Sequence, residues 1–169
     1  MKIRELKEKD AQFMLEWMHD ENVTRDLNSD FSSKTIGDAV NFIQVANEDT
    51  ENLHLAIVSD TDEYQGTVSL KKINREFEDA EFAITVRSCA MGKGYAWYGM
   101  QAIIDKAFGE MALKRIYWCV SQNNIRAVKY YEKHLFKRLE KPGDRLAERY
   151  AGRNDLIWYE VLNDKAIAE

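Results

Sequence analysis

Proline, cysteine and histidine are all scarce in this chain. One proline and eight glycines in 169 residues leave no room for a low-complexity linker, and no internal repeat is visible. Cys89 and Cys119 are too few to form a disulfide scaffold, so a reducing, cytoplasmic setting is expected. Neither cysteine has a partner at metal-ligand spacing, and His19, His54 and His134 are scattered, so no metal site is expected. No apolar run approaches the roughly 18 residues that cross a bilayer. The opening MKIRELKEKD has no apolar centre and is not expected to act as a signal peptide. A basic excess is missing as well: the formal charge of −5 argues against a nucleic-acid partner.

What is present suits one globular domain over residues 1–169. Hydrophobic residues make up 45% and charged residues 31%, and a chain of this size buries roughly two-thirds of its unfolded surface. The most informative stretch, residues 81–111, reads EFAITVRSCAMGKGYAWYGMQAIIDKAFGEM. Phe82, Ile84 and Val86 alternate with Glu81, Ala83 and Thr85, which is the period of a strand. Gly92 and Gly94 interrupt. Then Ala96, Trp97, Met100, Ile103, Ile104, Ala107, Phe108 and Met111 recur at three and four, giving one apolar helix face. Strand, glycine loop and helix together can bind an anion, because the first turn of a helix has unpaired N–H groups and a partial positive charge. Two glycines in that place also serve a simple turn. Neither the Walker loop nor the dinucleotide fingerprint fits, since Gly92-Lys93 is followed by Gly94 and no glycine stands at Trp97.

The rest of the chain falls around this centre. Ile3–Leu6 reads as an opening strand, Asp10 as the cap of a first helix, and Thr35 as the cap of a second that carries Ile36, Ala39, Val40 and Ile43. Between them runs the polar stretch 20–33, whose Asp20, Glu21, Asp26 and Asp30 suit either a solvated loop or attraction of a cationic substrate. Residues 53–59, 64–73 and 80–86 read as an antiparallel meander. Arg115–Val120 follows the long helix and should lie parallel to the strand ending at Val86, as a βαβ unit. Asn124 can cap a helix through Ile125, Ala127, Val128, Tyr131 and Leu135. Strands are expected over 136–141, 145–150 and 156–162, the last two as a closing hairpin.

Met91-Gly92-Lys93-Gly94-Tyr95-Ala96 resembles the acetyl-coenzyme A loop of the GNAT N-acetyltransferases, Gln/Arg-x-x-Gly-x-Gly/Ala, and departs from it at Met91. Asn124 to Phe136 resembles a second segment of that family, Asn-x-x-Ala-x-x-x-Tyr-Glu-Lys-x-Gly-Phe, with Leu135 in place of the glycine. The ending, from Tyr150 through Trp158-Tyr159-Glu160, is similar to the RimJ/RimL-type branch. The resemblance implies an α/β (α+β) GNAT fold: a mixed, mostly antiparallel sheet of about seven strands, about four helices, and a central βαβ unit carrying the loop. It implies an enzyme that moves an acetyl group from acetyl-CoA to a primary amine by direct attack in a ternary complex. The acceptor would be a small amine, an amino sugar or a protein N-terminus, and a homodimer is expected. The cofactor would be held by Met91, Gly92, Lys93, Gly94, Tyr95, Ala96 and Asn124, with backbone donors near Thr85 and Val86 for the developing oxyanion. Tyr131 would be the acid that protonates the leaving thiolate, a phenol being protonated at neutral pH. Glu81 is the leading base, with Glu78 behind it. The competing readings are a core aromatic for Tyr131, a solvent-facing carboxylate for Glu81, and, for the whole chain, an acyl-CoA-binding regulatory module without turnover.

Overall fold

A computed structural model describes residues 1–27, 29–140 and 142–163. Its centre is a seven-stranded sheet in the order β1-β2-β3-β4-β5-β7-β6. The strands are β1 (Lys2–Glu5), β2 (Leu53–Val58), β3 (Tyr64–Asn74), β4 (Asp79–Val86), β5 (Arg115–Ser121), β6 (Lys137–Leu139) and β7 (Leu156–Leu162). Every neighbouring pair is antiparallel except β4 and β5. That parallel pair is joined by α4 (Tyr95–Gly109), so the expected βαβ unit is present. The fold is thus the mixed, mostly antiparallel α/β arrangement expected from the sequence.

Among the described residues, six α-helices accompany the sheet: α1 (Ala11–Met18), α2 (Glu21–Thr24), α3 (Ile36–Glu48), α4, α5 (Ile125–Lys133) and α6 (Asp144–Arg149). Thr35 caps α3 as its sequence predicts, exchanging bonds with Asp38 in a capping box. Asp10 does not cap α1. It is fully buried and holds the Arg4 guanidinium at 2.7 and 2.9 Å and the Lys7 N–H at 2.8 Å. The run 20–33 is not wholly loop: Asp20 accepts the Asn22 N–H at 2.9 Å and starts the single turn of α2. The largest departure is α6, where residues 145–150 were expected to be a strand. Asp144 to Arg149 contains no β-branched residue, so its propensity is helical. Its one buried side chain, Leu146, needs only a helical turn to reach Tyr117 and Trp158.

Two apolar layers sandwich the sheet. On one face α4 buries Gly99, Met100, Ile103, Ile104 and Ala107 against Leu55, Ile57, Val68, Phe82 and Ile116. On the other, α1 and α3 cover Ala56, Val58 and Tyr64. The end of β4 is anchored firmly. Arg87, buried, donates to Glu16 at 2.8 and 3.0 Å, to Glu63 at 2.9 Å and to the Tyr64 carbonyl at 2.9 Å. These bonds fix the point from which the glycine loop departs.

Candidate active site

The β4–β5 pairing covers only Asp79–Arg115, Ala80–Ile116 and Glu81–Tyr117. Beyond that point β4 stays with β3 as far as Val86, while β5 stays with β7 as far as Ser121. The sheet therefore splits into a wedge that opens toward the N-terminus of α4. The Arg87 N–H bonds the Gln65 carbonyl at 2.9 Å. Strand alternation then turns the Thr85 and Ala83 amides toward β3 as well, and turns those of Ile84 and Val86 into the wedge. Of the two donors expected from sequence, Val86 faces the gap and Thr85 faces the neighbouring strand.

The loop sits at the mouth of this wedge. Gly92 and Gly94 have φ of 73° and 87°, which a side chain would strain. A Cβ added at Gly92 meets nothing within 4 Å, so that side of the loop is open to a ligand. Gly94 starts α4 without a side-chain cap, and the first amide of the helix to find an acceptor is that of Tyr98, which bonds the Gly94 carbonyl. Among the described residues, the amides of Gly92, Gly94, Tyr95, Ala96 and Trp97 have no protein acceptor. Such a cluster at a helix start suits a phosphate.

A cleft of about 810 Å³ joins the loop to the wedge. Gly92, Gly94 and Ala96 line one end, Ala83 to Val86 one wall, and Tyr131, Asn124 and Glu81 also face it. Met91 lines it too. Lys93 is exposed and Tyr95 packs against the core, and neither lines the cleft. Trp97, expected on the buried face of α4, instead stacks on His134 with centroids 4.0 Å apart and lines the cleft. Asn124 caps α5, its Oδ1 accepting the Ala127 N–H at 3.0 Å. Glu78 is not brought to the cleft. It lies just before β4 and pairs with Lys114 at 2.5 Å.

Glu81 is 4% exposed, so it is not a solvent-facing carboxylate. The Tyr150 hydroxyl donates to its Oε1, Arg149 donates to Oε2 at 3.3 Å, and Lys71 Nζ lies 3.9 Å from Oε1. The same Arg149 nitrogen donates to the Tyr117 hydroxyl at 2.8 Å. Tyr150, Arg149 and Lys71 were not singled out for chemistry by sequence reasoning. Lys71 had a signal, since it stands opposite Glu81 in the β3–β4 register. Tyr150 and Arg149 had none, reaching Glu81 across 69 and 68 residues of chain.

Tyr131 is also buried, with its ring 5.2 Å from Trp118 and 5.1 Å from Tyr159. Burial pushes its hydroxyl above the ordinary phenol value, so it stays protonated. Its hydroxyl has no hydrogen-bond partner among the described residues. Two further buried donors that line the cleft, Trp118 Nε1 and Tyr130 Oη, are unpartnered there too. Buried polar groups are rarely left without a partner, and in a cleft an ordered water or a ligand supplies it. Burial also raises the Cys119 thiol, to about 11. The residues present therefore fit a long ligand with phosphates at the loop and polar groups within the wedge.

This arrangement is that of an acyl-group transferase, and a match to the acetyltransferase (GNAT) domain spans residues 1–137. The chain belongs to the GNAT family and is an enzyme of the N-acetyltransferase class. An uncharacterized N-acetyltransferase, p20, from Bacillus licheniformis is 28% identical over 159 residues, 88% of each chain. Spermidine N-acetyltransferase from Vibrio cholerae, solved with CoA and spermine, superposes with a TM-score of 0.79 at 22% identity over 98% of this chain and 97% of that one. A dodecameric structure of that enzyme in an intermediate state superposes at 0.72, with 21% identity over 98% and 95%. Among the described residues, no helix is long and apolar enough to cross a membrane.

Proposed function

We propose that residues 1–169 act as one catalytic domain that transfers the acetyl group of acetyl-CoA directly to a primary amine, in a ternary complex. The observation that carries this reading is that the free amides of the glycine loop, Tyr131 and Glu81 all face one cleft. Met91 to Ala96 and Asn124 would hold the cofactor, which supplies an activated carbonyl and a thiolate leaving group. The Val86 amide offers a donor in the wedge, and such a donor is worth roughly 2.7–4 kcal/mol when it meets developing negative charge. Tyr131 donates a proton to the departing sulfur. The burial that raises the Cys119 thiol would also make a thiolate in this cleft more basic than in water, which favours the transfer. Glu81 accepts the amine's proton directly or through a water, and Tyr150, Arg149 and Lys71 hold its carboxylate in place.

The acceptor is proposed to be a small amine, an amino sugar or a protein N-terminus, as in the RimJ/RimL-type branch, with a cytoplasmic site of action and a homodimer as the working assembly. The first loop offers little to attract a polycation. Asp20 is tied to Asn22 and Ser88 and Asp30 to Ser32, which leaves Asp26 lining the cleft. Release of free thiol from acetyl-CoA is the test, run against amino sugars, polyamines, aminoglycosides and short peptides. We expect release that depends on one amine class and falls about 10²–10⁴-fold in Tyr131→Phe or Glu81→Gln. Met91, which removes a polar side chain from the loop, favours a second reading as a CoA-binding regulatory module. That reading expects CoA binding with no amine acetylated and no effect of Tyr131→Phe.

A further inference from the structure

The loop lacks a cation aimed at its own anion site. Met91 occupies the position where the family pattern has Gln or Arg, and Lys93 is exposed and does not line the cleft. A guanidinium from elsewhere stands beside the vacancy in the pattern. Arg126 Nη1 lies 3.3 Å from the Met91 sulfur and 3.0 Å from the Asn22 carbonyl, which accepts from it. Arg126 lines the cleft together with Gly92 and Gly94.

Its partners leave the charge poorly compensated. A carbonyl and a thioether are neutral. The one carboxylate near it among the described residues, Asp26, is 4.0 Å from Nη2 and lies 3.6 Å from Arg25 as well. The side chain is 42% exposed. Its place on α5 is locally unfavourable too. Arg126 is the second residue of that helix, at the positive end of the dipole, where an acidic residue would be preferred. A residue that breaks a local rule without local compensation is expected at a functional position.

We infer that Arg126 supplies a cation for the cofactor's pyrophosphate, beside the place where Met91 stands instead of the pattern's polar side chain. The inference rests on the reading that this cleft holds acetyl-CoA. A planar guanidinium suits the task, because it can give two parallel N–H bonds to phosphate oxygens. It also ties cofactor capture to α5, the helix that carries Asn124 and Tyr131. The departure at Met91 is then a relocation of the side-chain contact to the anion from the loop to α5.

The test is calorimetric binding of CoA, 3′-dephospho-CoA and pantetheine to the wild type, Arg126→Gln, Lys129→Gln and the double variant Arg126→Gln/Met91→Arg. Lys129 is an exposed cation one turn further along α5 that does not line the cleft. Arg126→Gln should weaken CoA and 3′-dephospho-CoA alike by about tenfold and leave pantetheine unchanged. Lys129→Gln should cost less than about twofold, and Met91→Arg should recover most of the loss. Unchanged CoA affinity in Arg126→Gln overturns the inference. So does an equal loss for pantetheine, which would mean that Arg126 only braces α2 against the loop. An equal loss in Lys129→Gln would reduce the effect to general charge attraction, which also overturns it. Absence of CoA binding by the wild type would instead remove the proposed function and take the inference with it.

Discussion

Cys119 and Tyr131 face the same cleft, and burial acts on both in the same direction. Desolvation disfavours a charged sulfur as it does a charged phenolate. With the thiol raised to about 11, Cys119 is almost entirely protonated at neutral pH and is a poor nucleophile. A route through an acetyl-cysteine is therefore unattractive, even though the sulfur sits close to the chemistry. Cys89, by contrast, is exposed to reagents in solution. Iodoacetamide at pH 8 should label Cys89 and leave Cys119 unmodified, read by peptide mass. Cys119→Ala should keep at least about a third of the wild-type kcat, whereas loss of turnover on that substitution would point back to a covalent route.

At the scale of elements, the position of α4 governs the site, because its first turn supplies the free amides. Gly99 sets how closely that helix approaches the sheet. A Cβ there would lie 2.4 Å from Ile57 Cδ1 and 2.8 Å from Cγ1. Alanine is the better helix former by about 1 kcal/mol, but overpacking costs about 1–3 kcal/mol. We expect Gly99→Ala to destabilise the protein and Ile57→Val to relieve part of the clash. The double variant should then be more stable in urea than the sum of the single changes by about 1 kcal/mol; strict additivity would show that the helix does not feel Ile57. The strand–loop–helix–strand order around α4 was legible because the apolar period changes from two to 3.6 across two glycines. The helix at Asp144–Arg149 was not, since a single buried Leu146 gives no periodicity to read. The wedge was legible only through family resemblance. Where two strands part depends on what each pairs with on its far side, and Glu81 acquires its partners from a segment nearly seventy residues later.

For the molecule as a whole, buried phenols set an alkaline limit. Tyr64 and Tyr131 are buried, and desolvation raises both above the ordinary phenol value of about 10. Their stabilising contribution is complete below that unfolded value and is lost as pH rises past it, because only the unfolded chain then releases the protons. Each group should cost about 1.4 kcal/mol per pH unit above pH ~10. Urea midpoints should thus be flat from pH 8 to about 9.5 and fall steeply by pH 11, and a midpoint that holds through pH 11 would contradict the burial of these rings. The parting of β4 from β5 has a consequence of another kind. Here the central sheet is two leaves on a hinge three residue pairs long, and the space between them is where the chemistry would happen. A ligand that carried amides of its own would meet strand edges on both sides of that gap, and would join the two leaves as a further strand does.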